Sequence, residues 1–196
     1  MKHTRIDQLS DGIFAIVMTI LVFEIRIPDT VYIVSNQHLW AILKNLTPYF
    51  GAYLLSFALL YTYWRAHHFF ISGYAKNVDS VLSNFNALFF FLIALIPFSA
   101  SVLGRFSETE LSIVVFAINI ILIGMTLFAM RNYILYSDSI KNPEITPREI
   151  HGSTVRTLVP VLFALIAIPL SFVSTQFAIA LLTLAVIFNL SSSSTK

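Results

Sequence analysis

The sequence predicts an all-α integral membrane protein with six transmembrane helices per subunit, and two observations carry that prediction. The 196-residue chain is 57% hydrophobic and only 11% charged, with 18 Phe and a mean hydropathy of +0.81. Soluble domains run at about 45–50% apolar and about 25% charged. The apolar residues also fall into stretches close to the ~20 residues that a helix needs to cross a ~30 Å hydrocarbon core. The same composition excludes other classes. Without Cys there are no disulfides, thiolate metal sites or cysteine nucleophiles. A net charge of +2 with no basic run offers nothing to nucleic acid.

The spans fall at roughly 5–26, 38–65, 77–103, 109–133, 154–172 and 175–191, in one domain over 1–196. Connections near 29–37, 104–108 and 173–174 are short, so the spans they join are antiparallel neighbours. Residues 137–153 form the one long polar connection, in which Thr146-Pro147 followed by Glu149 signals the opening of a surface helix. Orientation follows from Lys and Arg in the connections. An inner N-terminus gathers Lys2, Arg5, Arg65, Lys76, Arg131, Lys141, Arg148, Arg156 and Lys196 inside, leaving Arg26, Lys44 and Arg105 outside. Both termini are therefore expected in the cytoplasm. A signal peptide is disfavoured for the first span, because Glu24-Ile25-Arg26 replaces the small residues of a cleavage site.

The first span is the most polar. On a helical wheel Gly12, Ile16, Thr19, Ile20 and Phe23 share one stripe, while Ser10, Asp11, Phe14, Met18 and Leu21 fall on the other side. Its uninterrupted apolar core, Ile13 to Phe23, is short, which places the span in the middle of a bundle, screened by greasier helices. Asp11 then needs partners, since a bare buried carboxylate costs several kcal/mol. It is either a helix N-cap or part of a polar network reaching spans two and three. Arg5, Ile6 and Leu9 already read as helix, which favours the network. Span two ends with Trp64, His67 and His68, and span three carries Asn84 and Asn86 about two turns in.

Adjacent histidines point about 100° apart, so His67 and His68 are not a metal pair; no metal site or cofactor is expected. One histidine serves the network and the other faces the headgroups, while Trp64 is a network partner or an interfacial anchor. Pro97 and Pro160 are expected to kink spans three and five. Asn119 reads as interhelical glue, and Glu24 and Arg26 mark the outer mouth or the interface. No nucleophile, base or metal constellation points to an enzyme. A coupled transporter normally shows inverted repeats around a midplane polar site, and spans four to six hold no counterpart of the polar first span.

Arg5, Ser10, Asp11 and Gly12 resemble the Arg-x-x-x-Phe-Ser-Asp-Gly signature of the transmembrane-protein-175 potassium channel family, with Leu9 in place of its Phe. Trp64, His67 and His68 resemble the end of that family's second span. Asn86 followed by Leu95-Ile96-Pro97-Phe98-Ser99 resembles its third. The resemblance implies a bacterial inner-membrane homotetramer embedded in lipid, its pore lined by the first helix of each subunit and permeated by potassium. Ile16, Thr19, Ile20 and Phe23 would face the axis. No carbonyl filter of the TVGYG kind is present, so selectivity is expected from a narrow apolar ring that an ion crosses partly dehydrated. Without the resemblance, those apolar residues would read as ordinary packing. A proton-permeable channel or an ion-coupled transporter is the alternative.

Overall fold

Strings of apolar residues leave the backbone no partner but itself in lipid, so helices dominate. The computed structural model describes residues 3–27, 35–142 and 146–191. Lys2 and Lys196 of the charge count, Pro143, and most of the connection at 29–37 lie outside them. The described residues form eight α-helices: α1 (His3–Ile20), α2 (Asn36–Asn45), α3 (Thr47–His68), α4 (Ser80–Ala94), α5 (Ile96–Arg105), α6 (Glu110–Tyr136), α7 (Pro147–Ser171) and α8 (Thr175–Ser191). A 3-10 turn, Leu21–Glu24, continues α1, and a π-helical turn, Phe69–Tyr74, continues α3.

Local chemistry sets the boundaries. Ser35 caps α2 by accepting from His38 N, and Asp79 caps α4 by accepting from Leu82 N. Thr146 and Glu149 form a reciprocal capping box. The surface helix expected there is the first turn of α7 itself, so the helix that holds the fifth span starts before 154. Proline has no N–H to donate and fits a first helical turn. Pro48 and Pro97 each stand in such a turn, and single residues, Leu46 and Leu95, separate α2 from α3 and α4 from α5. The break at Leu46 divides what the hydropathy pattern presents as one span. At the second break the Asn119 amide donates to Leu92 O (3.2 Å) and Ser99 Oγ donates to Asn119 Oδ1 (3.3 Å), tying α6 to α4 and α5.

Among the described residues, four stretches are long and apolar enough to cross a membrane: Arg5–Glu24, Ser80–Arg105, Glu110–Tyr136 and Glu149–Ser171. Thr175–Ser191 is a shorter apolar helix. The core runs along α6, which packs on α4, α5 and α7. α1 is the least enclosed of the four long stretches, with 28% of its apolar window buried against 56% for α6. Within the single chain, then, α1 is not the screened central helix that its polarity predicts. It lies on the flank, against α3 and α4.

Hydrogen bonds show which ends lie together. Lys76 N donates to Ile140 O (2.6 Å) and Asn142 N to Tyr74 O (2.8 Å), clipping the connection after α3 to the one after α6. Tyr74 Oη donates to Glu149 O (2.8 Å), and burial pushes its phenol above the usual range, so it stays a donor. Ser72 Oγ donates to Asp7 Oδ2 (3.2 Å), bringing the start of α1 to the same end. At the opposite end Glu24 pairs with Arg105 at 3.6 Å, and Arg26 Nε donates to Phe23 O.

Candidate pore helix and its polar anchor

The two faces of α1 are unlike in chemistry and in surroundings. Phe14 (2% exposed) and Leu21 (1%) are buried with Ile6, Ser10 and Val17, at the heptad-like spacing of a packing seam. Phe14 meets the Phe89 ring of α4 at 6.1 Å between centroids. On the far side Ile16 (59%), Phe23 (60%) and Ile20 are exposed, with Thr19 between them and Gly12 one turn before. A Cβ built on Gly12 meets nothing within 4 Å, so nothing inside the subunit demands its smallness. Thr19 Oγ1 donates back to Ala15 O (2.8 Å) and Ile16 O (2.9 Å), which spends its proton on the helix and leaves oxygen lone pairs facing outward.

The polar head of α1 is held by α3 and α4. His67 is fully buried, stacked flat on Phe89 at 5.0 Å. Asn86 Nδ2 donates to Leu82 O (2.8 Å), which fixes the amide so that Oδ1 faces His67 Nε2 at 2.6 Å. An amide oxygen only accepts, so Nε2 carries the proton. Nδ1 of the neutral ring then accepts from Ser10 Oγ at 3.2 Å. Ser10, His67 and Asn86 thus link α1, α3 and α4 through a continuous chain of hydrogen bonds. A second, outer contact runs in parallel. Trp64 Nε1 donates to Asp11 Oδ1 (2.8 Å), and the indole stacks on His68 at 6.1 Å.

The structure therefore divides the expected network in two. His67 is the histidine that bonds Ser10 and Asn86, and His68 is exposed. Asp11 is exposed and bonds Trp64, not His67 or Asn86, because successive helix residues point about 100° apart and only Ser10 faces the seam. Arg5 is exposed and takes part in none of these bonds, and Asn84 is exposed as well. Sequence reasoning missed Asp7 with Ser72, and it missed Phe89 beneath the imidazole. The signal for Phe89 is its spacing, three residues after Asn86 on one face of α4. Among the described residues no group of His, Asp and Glu is placed to hold a metal ion.

A family model described as the endosomal/lysosomal potassium channel TMEM175 matches residues 5–97, the part of the chain that holds both halves of this anchor. A potassium channel of Chryseobacterium sp. (strain P1-3) is 26% identical over 173 residues, 88% of this chain and 84% of that one. The mouse endosomal/lysosomal proton channel TMEM175 is 26% identical over 141 residues, 72% of this chain but 28% of that longer protein. The crystal structure of a lysosomal potassium-selective channel TMEM175 homolog from Chamaesiphon minutus superposes with a TM-score of 0.84 at 26% identity, covering 98% of each chain. A shared fold over the whole length, together with matched sequence through the anchored first helix, supports membership of the bacterial TMEM175 potassium channel family.

Proposed function

We propose that this protein is a potassium-selective cation channel in which four copies surround a pore lined by α1. The observation that carries the proposal is the stripe of Ile16, Thr19, Ile20 and Phe23, exposed along the face of α1 opposite its anchor. One helix cannot enclose a conduit, whereas a closed cyclic assembly of identical helices can. Four is the number the family resemblance implies. Six crossings per chain follow if α2–α3 and α8 join the four long apolar stretches. The excess of Lys and Arg at the end holding His67 then puts that end, and both termini, in the cytoplasm of a bacterial inner membrane.

The chemistry follows from the stripe. A ring of Ile16 side chains is a narrow apolar constriction that closes by dewetting or admits an ion only after part of its hydration is lost. Potassium holds water less tightly than sodium, so the dehydration barrier favours it. Thr19 oxygens, one turn further along, replace some of the lost water. The Ser10–His67–Asn86 chain sets the rotation of α1, and with it which side chains reach the axis.

Purified protein in liposomes, loaded and diluted to drive potassium or sodium efflux, tests the proposal. Faster potassium than sodium flux is expected, and absence of cation flux would refute it. Proton permeation is the second reading, on the strength of the mouse relative's name. The stripe carries no titratable relay, so protons would need a water wire through the Ile16 ring, and a pH dye in the same vesicles measures that leak.

A further inference from the structure

A cleft of about 860 Å³ opens between the last turn of α3, the π turn after it, and the first turns of α7. It lies at the end where basic residues gather, and it is not part of the α1 stripe. Its floor is apolar, made by Phe70 and Leu127 with Tyr63 beside them, and its rim is basic. Arg65 and Arg156 line it from different helices with His68 and His151, and Glu149 is the one carboxylate among the described lining residues. Arg65 also lies over the Tyr61 ring at 5.7 Å.

A second, independent observation points the same way. Arg131 of α6 is buried at 3% exposure directly behind this wall. Its Nε donates to Ser153 Oγ (2.7 Å), itself a lining residue, and its other nitrogens donate to Ile150 O, Thr154 Oγ1 and Asn132 Oδ1. Every acceptor is a neutral oxygen. Among the described residues Arg131 is hydrogen-bonded but meets no carboxylate, and a buried charge without a counter-ion is costly. Two guanidinium groups thus line an apolar-floored cleft, and a third stands buried behind its wall.

We propose that this cleft binds the phosphate headgroup of an anionic glycerophospholipid from the surrounding leaflet. Basic pockets between transmembrane helices on the cytoplasmic side take such headgroups. Arg65 and Arg156 clamp the phosphate, as guanidinium forks suit its oxygens. Arg131 supplies field from behind, and the exposed Phe69 at the cleft edge gives the lipid's apolar part a contact. Trp64, whose indole holds Asp11 of α1, is also a wall of the cleft, so the bound lipid would abut the anchor of the pore helix. The proposal rests on the membrane reading above but not on conduction, which the flux assay reports separately.

The test is retention of phosphatidylglycerol against phosphatidylcholine by the purified protein in detergent, measured by native mass spectrometry. Inorganic phosphate serves as competitor. The comparison variants are Arg65→Gln with Arg156→Gln, and, as a control at the same end but outside the cleft, Lys76→Gln with Lys141→Gln. Wild type should prefer phosphatidylglycerol. The arginine pair should lose about thirtyfold in its affinity, the factor expected of two cations near an anionic leaflet, and the lysine pair should retain it. If the double variant does not fold, Arg156→Gln alone, an exposed side chain, should lose about fivefold. Undiminished phosphatidylglycerol retention in the arginine variants would overturn the site. Displacement by free phosphate as effective as by lipid would overturn the lipid assignment. A changed oligomeric mass with unchanged lipid retention would make the cleft a contact between copies, and would overturn the proposal too.

Discussion

His67 is bonded through both ring nitrogens and stacked on Phe89, so its orientation has little freedom. Removing either partner strands a buried polar atom, and the cost depends on which. Asn86→Ala leaves His67 Nε2–H without an acceptor in an apolar surround and should cost about 1–3 kcal/mol. Ser10→Ala loses a longer bond whose oxygen was the donor, and should cost about 1 kcal/mol or less. Thermal unfolding in a mild detergent checks the order, Asn86→Ala melting below Ser10→Ala. Much of this chain was legible in the sequence, because polar side chains at similar depth in apolar spans have to find one another. Asp11 was not. Its wheel position, grouped with Ser10, hid the turn of about 100° that sends it to Trp64 on the exposed flank.

At the scale of elements, small residues decide how closely helices approach, since lipid gives apolar helices no solvent reason to associate. Gly124 is the sharpest case. A Cβ there would fall 2.3 Å from Val161 Cγ2, and the branched Val161 side chain is stiff. Gly124→Val should therefore push α6 from α7 and destabilise the subunit by about 1–3 kcal/mol, read as a lower melting temperature. Gly12→Ala, with nothing within 4 Å, should leave the unassembled subunit unchanged. Helix existence was readable from hydropathy. Helix ends were less so, because they rest on side-chain bonds. The Thr146–Glu149 capping box extends α7 backward into the polar connection, and Pro48 sets a break in a stretch that hydropathy presents as continuous.

At the scale of the molecule, the most polar helix is central only if the assembly, and not the subunit, is the unit that encloses it. The sequence carried the polarity of α1 but not this distinction, because no single-chain pattern tells a face awaiting another copy from a face awaiting lipid. Mass measurement in mild detergent should find a tetramer, and a monomer as the sole species would count heavily against a pore built from α1. The most direct test is a pair of substitutions on that helix, Ile16→Asn and Phe14→Asn, with potassium and sodium flux measured in liposomes. Both introduce the same amide, one on the exposed stripe and one in the buried seam. Ile16→Asn should wet the constriction, raise flux and lower potassium–sodium discrimination, while Phe14→Asn should impair folding without that change in discrimination. Unaltered selectivity in a conducting Ile16→Asn channel would contradict a constriction at Ile16.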